Sequence, residues 1–304
     1  MRIAVAILGA LACAALAPVA LAADVAESQR AESQRRVLDY WTPERIAEVA
    51  TATGVSDGTA ATTLKKKKTP KKAPRKSYVS QRVPDATSRP FIASGKIFGH
   101  TRGAAANEGY ECSGTVVQSA NHSVVITAGH CLNFNGQFAD KLIFIPGFRN
   151  GKQPYGQWVF DRLLVPGGYP PTASPAIDYG AATMAPQVDT DMAVEDAVGA
   201  RKIRTDTKRR QTYRALGYPH NKGKGERLWS CRSKPLVEIN GPDKYPPVGI
   251  GCDMSFGASG GGWIGDSGAV VSVTSIGIEG YKNYVFGPRL RTAAKKLLDQ
   301  AGEN

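Results

Sequence analysis

The chain is 304 residues long, with 42% hydrophobic and 8% aromatic side chains, enough apolar material for a sizeable core, and a formal net charge of +13. The basicity is local: residues 23–89 carry as large an excess of Lys and Arg as the much longer stretch 90–304, which argues for a basic arm and against a specific nucleic-acid-binding domain. Five cysteines without a C-x-x-C spacing, with His130 and Cys131 adjacent, argue against a zinc-centred fold.

In chain order, residues 1–22 run from one Arg through an Ala-rich apolar stretch to Ala20-Leu21-Ala22, the small-x-small form of a cleaved export signal. The run is short and contains Pro18, so it is not read as a membrane anchor. Cys13 falls inside this signal, leaving Cys112, Cys131, Cys231 and Cys252. An even set in an exported chain predicts two disulfides, with three pairings open, and a periplasmic or extracellular location.

Residues 23–60 contain the tandem AESQR-AESQR and then a helical pattern in which Val37, Leu38, Trp41, Ile46 and Val49 share a face, interrupted by Pro43. The Lys- and Pro-rich stretch 62–77 repels itself and offers little to bury, so it reads as an exposed linker, open to cleavage after its basic residues. Residues 23–89 are therefore expected to be a partly disordered basic pro-segment, with weak binding of anionic polymers through 62–77 as a further expectation. From residue 90 to 304, short apolar runs such as SVVITAG, KLIFIPG, YGAATM and AVVSVTSIGI alternate with Gly, Pro and Asn clusters, predicting one all-β antiparallel unit of barrel or sandwich type. The end, PRLRTAAKKLLDQA, predicts a docked helix presenting Leu290, Ala293, Ala294, Leu297 and Leu298.

Three residues can carry chemistry together. His130 stands where a strand gives way to a loop in VVITAGHC, Asp178 lies among small and apolar residues in PAIDYGAATM, and Ser259 sits between glycines in GASGGGW. A buried carboxylate needs a partner. Asp178 can orient His130, His130 can take the Ser259 proton, and the Gly257 and Ser259 N–H groups can meet the developing oxyanion. The G-x-S-x-G of the α/β-hydrolases also fits GASGG, but those enzymes need a histidine after the serine, and none follows His220. Nothing in the pattern calls for a metal or cofactor.

TAGHC, DYG and GASGG, in that order, together with GYP at 217–219 and CDMSFGASGGGW at 252–263, resemble the trypsin-like serine endopeptidases, most closely their bacterial glutamyl-endopeptidase-like branch. The resemblance spans roughly residues 90–304. It implies two six-stranded antiparallel β-barrels of chymotrypsin-like form with a C-terminal helix, the triad in the cleft between them, a Cys112–Cys131 bridge and, with it, Cys231–Cys252. It also implies that Thr274, Ser275 and Gly277 form the strand that pairs with substrate, which leaves Ser267 of the similar string GDSGAV in a hairpin turn. Ala258 replaces the aspartate of trypsin's activation switch. Asp253 falls where trypsin holds its pocket carboxylate, which would favour Lys or Arg, and Thr274 stands where glutamyl endopeptidases place a histidine. The expected protein is a monomeric secreted serine endopeptidase made as a zymogen and acting on proteins or peptides. An inactive protease-like protein that binds anionic polymers, or an esterase using the same triad, are the alternative readings.

Overall fold

The computed structural model describes residues 25–30, 32–51, 78–103, 105, 109–169, 174–208, 210–238, 245–278 and 281–303. The segment 1–22, read above as an export signal, and the Lys/Pro stretch of 62–77 lie outside them. In chain order the elements are β1 (Val25–Gln29), α1 (Gln34–Tyr40), α2 (Pro43–Thr51), β2 (Gln81–Arg82), β3 (Ser94–His100), β4 (Gly109–Val116), β5 (Val124–Thr127), β6 (Asn133–Phe134), β7 (Gln137–Phe138), β8 (Ile143–Pro146), β9 (Trp158–Pro166) and β10 (Gly180–Met184). They continue with α3 (Val194–Val198), β11 (Tyr213–Gly217), β12 (Trp229–Ser233), β13 (Pro235–Glu238), β14 (Val248–Gly251), β15 (Gly262–Ile264), β16 (Val270–Val273), β17 (Tyr284–Gly287) and α4 (Thr292–Gly302). Among the described residues no helix is long and apolar enough to cross a membrane.

The first half closes into a six-stranded antiparallel barrel, β9-β10-β5-β4-β3-β8, with β8 returning to β9. Its apolar runs are continuous rather than alternating because both faces of each strand are covered. Ile97, Val125, Phe144 and Leu163 point into one cluster, whereas their neighbours Phe98, Val124, Ile143 and Leu164 point into another. That second cluster also takes side chains from α1 and α2, from Leu216 and Tyr218 of the second half, and from Leu297 and Leu298 of α4.

The second half forms a five-stranded sheet, β16-β15-β11-β12-β2, and a three-stranded sheet, β13-β14-β17. The chain after β16 links them, because the Ser275 N–H donates to Phe286 O at 2.8 Å and the Phe286 N–H to Ile276 O at 2.9 Å. Trp263, Ile250 and Val285 fill the space between the sheets. The molecule thus has the chymotrypsin-like two-barrel fold, with a C-terminal helix.

Two parts of the 23–89 stretch are built into this fold. The strand β1 pairs with β9 from Val25↔Pro166 to Gln29↔Arg162, and β2 pairs with β12. The helical pattern divides at Pro43, which takes the first position of α2, where its missing N–H costs nothing. In α4 the expected face buries Ala294, Leu297 and Leu298, but Ala293 is exposed, since it sits one residue off the stripe.

Candidate active site

Register brings the first two site residues together. Strands β5 and β10 pair from Thr183↔Val124 to Gly180↔Thr127, so the residues just beyond that last pair, His130 after β5 and Asp178 before β10, emerge side by side. His130 lies in a 3-10 turn, Gly129–Cys131. Its backbone N–H donates to Asp178 Oδ1 at 2.9 Å, and its Nδ1 lies 2.8 Å from Asp178 Oδ2. Two contacts, one to the ring and one to the main chain, fix the imidazole's orientation and put the ring proton on Nδ1.

Asp178 is buried, and a third group reaches it. Ser275, from the chain beyond β16, donates its hydroxyl to Asp178 Oδ2 at 2.5 Å. Burial alone would raise the carboxyl's pKa, but the His130 charge and hydrogen bonds and the Ser275 hydroxyl more than offset it, holding the group below the ordinary carboxylate range. Tyr169 also packs here; burial, followed by the charge and hydrogen bond of Asp178, pushes its phenol well above the usual value.

Ser259 comes from the second barrel. Its carbonyl accepts from the Ser113 N–H at 2.7 Å, and the Ser113 hydroxyl donates to Gly257 O at 2.7 Å. Ser113 adjoins Cys112, which is bonded to Cys131, the residue after His130. Gly260 is pressed so closely onto the same strand region that a Cβ there would lie 2.9 Å from the Ala128 amide. One serine of β4 therefore holds the Ser259 loop beside the His130 turn. Gly257 has φ +81°, and a Cβ would meet the Tyr218 carbonyl at 2.5 Å and Glu111 at 2.9 Å. Only glycine makes this turn without strain.

The remaining sequence-derived residues are distributed differently. Thr274 is buried and its hydroxyl accepts from Trp263 Nε1 at 2.9 Å, which ties that side chain to the second barrel's core. Gly277 is exposed, with open space where a Cβ would point. Asp253 is occupied: its Oδ1 accepts from the Ser80 N–H at 2.7 Å, and its Oδ2 lies 2.7 Å from Lys222 Nζ. Burial raises this carboxyl, but the Lys222 and Ser80 hydrogen bonds and the Lys222 charge bring it below its ordinary value. Ser267 lies in the turn between β15 and β16. Cys231 is bonded to Cys252, joining β12 to the end of β14. Cys112, Cys131 and His130 cluster in the manner of metal ligands, but both sulfurs are committed to the disulfide and have no thiolate to offer.

Sequence reasoning missed Ser113 and Tyr169, and it missed a buried ion pair beside Gly257. Lys96 and Glu111 meet at 2.6 Å, Lys96 also donates to Gly225 O at 3.1 Å, and His220 Nδ1 lies 3.3 Å from Glu111. Lys96 and Glu111 sit in β3 and β4, whose sequences SGKIFGH and GYECSGTV carry no local mark of a buried ion pair. Only burial makes them unusual.

No family model and no curated protein matches the chain. Solved structures do. The protease Anisep from Arthrobacter nicotinovorans is 32% identical, covering 73% of this chain and 99% of its own, with a TM-score of 0.64. The thermostable serine protease AL20 from an extremophilic microorganism is 32% identical, covering 69% and 97%, with a TM-score of 0.61. A Glu endopeptidase solved in complex with MPD is alike in fold at 20% identity, covering 73% and 96%, with a TM-score of 0.60. The fold and these relatives define a serine protease. The chain belongs to the trypsin-like serine proteases of chymotrypsin fold.

Proposed function

We propose that the protein is a secreted serine endopeptidase, made as a precursor, that hydrolyses peptide bonds through His130, Asp178 and Ser259. The observation that carries this reading is the double grip of Asp178 on His130, at the ring and at the backbone. With its Nδ1–H held, the imidazole presents Nε2 as a base. Ser259 Oγ attacks the scissile carbonyl as Nε2 takes its proton. The carbonyl oxygen becomes an oxyanion facing the Gly257 and Ser259 N–H groups, and the imidazolium then protonates the departing amine as the C–N bond breaks. Water attacks the resulting acyl-enzyme, gives its proton to Nε2, and the second collapse returns that proton to Ser259 Oγ. The exposed edge at Gly277 pairs with substrate backbone, and export delivers the enzyme to the periplasm or the medium.

The test is fluorophosphonate labelling of the secreted protein with peptide mapping. Label on Ser259, lost in both Ser259→Ala and His130→Ala, supports the assignment. A properly processed, folded protein that takes no label overturns it in favour of an inactive, polymer-binding relative. Labelling with turnover of esters but of no peptide would make it an esterase.

A further inference from the structure

We propose that residues 25–51 are a resident part of the mature protein: when the chain is cut in the Lys/Pro stretch 62–77, this segment stays bound to the first barrel as a separate, non-covalently held chain. A pro-segment that merely blocks a site can leave without disturbing the fold. This one completes the fold.

The first barrel leaves an edge for it. β9 is nine residues long, but β8 pairs with it only at Trp158 and Val159, leaving the edge of Arg162–Pro166 without a barrel strand. β1 takes that edge over five residues. An uncovered edge of this length would be a template for pairing with another chain.

The barrel also leaves a notch for the helices. Val37, Trp41, Ile46 and Val49 are buried in the same cluster as Phe98, Ile143 and Ile145. Trp41 Nε1 donates to Lys141 O at 2.7 Å, and Tyr40 sits edge-on to His100. On the barrel side Gly109 is the fitted counterpart: a Cβ there would lie 2.6 Å from Val49 Cγ2 and 3.0 Å from Trp41 Cη2. The ion pairs Lys141–Glu32 and Arg30–Asp161, at 3.3 and 3.5 Å, lie along the same contact. With the segment gone, Phe98, whose ring packs 5.8 Å from that of Trp41, would lose its cover, and the bared partners of the docked residues would leave an apolar surface of the kind that drives association.

Retention has to come from packing. The segment contains no cysteine, and the four cysteines of the barrels are bonded to one another. Downstream, the Ser80 N–H is held by Asp253 and Gln81–Arg82 by β12, so a cut within 62–77 leaves an anchored element on each side.

The experiment uses the secreted Ser259→Ala chain with a site-specific protease sequence inserted after Lys68, so the result does not depend on the protein's own catalysis. After complete cleavage, denaturing electrophoresis should show two chains, while gel filtration and native mass spectrometry show one particle. Trp41→Ala should weaken retention about a hundredfold or more, and Gly109→Val should do likewise by filling the notch from the other side. Val49→Ala gives a graded release should the larger changes prevent accumulation of the uncut chain. The proposal is overturned if the small chain elutes free from the cleaved Ser259→Ala protein, or if active wild-type protein from the medium contains no residues of 25–51.

Discussion

The Ser275 hydroxyl lies 2.5 Å from Asp178 Oδ2, the same oxygen that receives His130 Nδ1. A residue of the second barrel thus helps to hold a carboxylate of the first in its charged form. Asp178 titrates below its unfolded value, so the stability it contributes is complete above the ordinary carboxylate pKa of about 4 and is lost as pH falls through the folded value. Ser275→Ala should cost about 1–3 kcal/mol at neutral pH and move the acid-unfolding midpoint upward. Thermal melts between pH 2 and pH 7 measure both; an unchanged acid limb would contradict the role of this contact.

Asp178→Asn keeps the shape of the site but removes the acceptor that favours the Nδ1–H tautomer. The expected loss in kcat is on the order of 10⁴-fold, with peptide binding little changed. Steady-state kinetics on a fluorogenic peptide distinguish this from unfolding, which would lower the active-site titre without lowering kcat per titrated site.

Gly257→Ala joins two costs. Its φ of +81° disfavours a side chain, and the added methyl meets the Tyr218 carbonyl. We expect kcat to fall about a hundredfold or more as the N–H proposed to meet the oxyanion moves, while fluorophosphonate labelling slows by a similar factor.

Lys96 and Glu111 form an ion pair with almost no solvent contact. Breaking one side leaves the other charge buried, so Lys96→Met should cost about 3–5 kcal/mol in urea unfolding. Lys96→Met combined with Glu111→Leu should recover most of that loss. A double variant no better than the single one would show that the pair is held for its position beside Gly257 rather than for charge balance.

Asp253 has both oxygens engaged, by Ser80 and by Lys222. It is therefore not expected to select Lys or Arg before the scissile bond, and Asp253→Ala should change the preference for basic over neutral residues by less than about threefold, since an occupied carboxylate has little charge left to offer. A peptide library with that residue varied gives the ratio. Lys222→Ala should increase cleavage after Lys and Arg if freeing the carboxylate lets it face substrate.

Much of the site was legible because its chemistry needs particular side chains in particular local settings. TAGHC, DYG and GASGG each carry their own turn or strand end, whereas the register of β5 on β10 that brings His130 beside Asp178 is read from the structure. The antiparallel all-β character, the C-terminal helix and the helix break at Pro43 were likewise set by local sequence, since proline, glycine and apolar periodicity act over a few residues; the two-barrel form and the hairpin around Ser267 were implied only by the family resemblance.

What only the tertiary structure decided lies in contacts between distant segments. Residues 25–51 read as part of a basic pro-segment, 23–89, and a short amphipathic helix pair looks the same in sequence whether or not its apolar face will be covered; the contacts with Gly109 and the edge of β9 are what the tertiary structure adds. Asp253 falls in sequence where trypsin holds its pocket carboxylate, but its contacts with Lys222, 31 residues away, and Ser80, 173 residues away, join distant segments that no local pattern connects. Lys96 and Glu111 gave no local sign of being buried, since the cost of removing a charge from water depends on what the rest of the chain places around it.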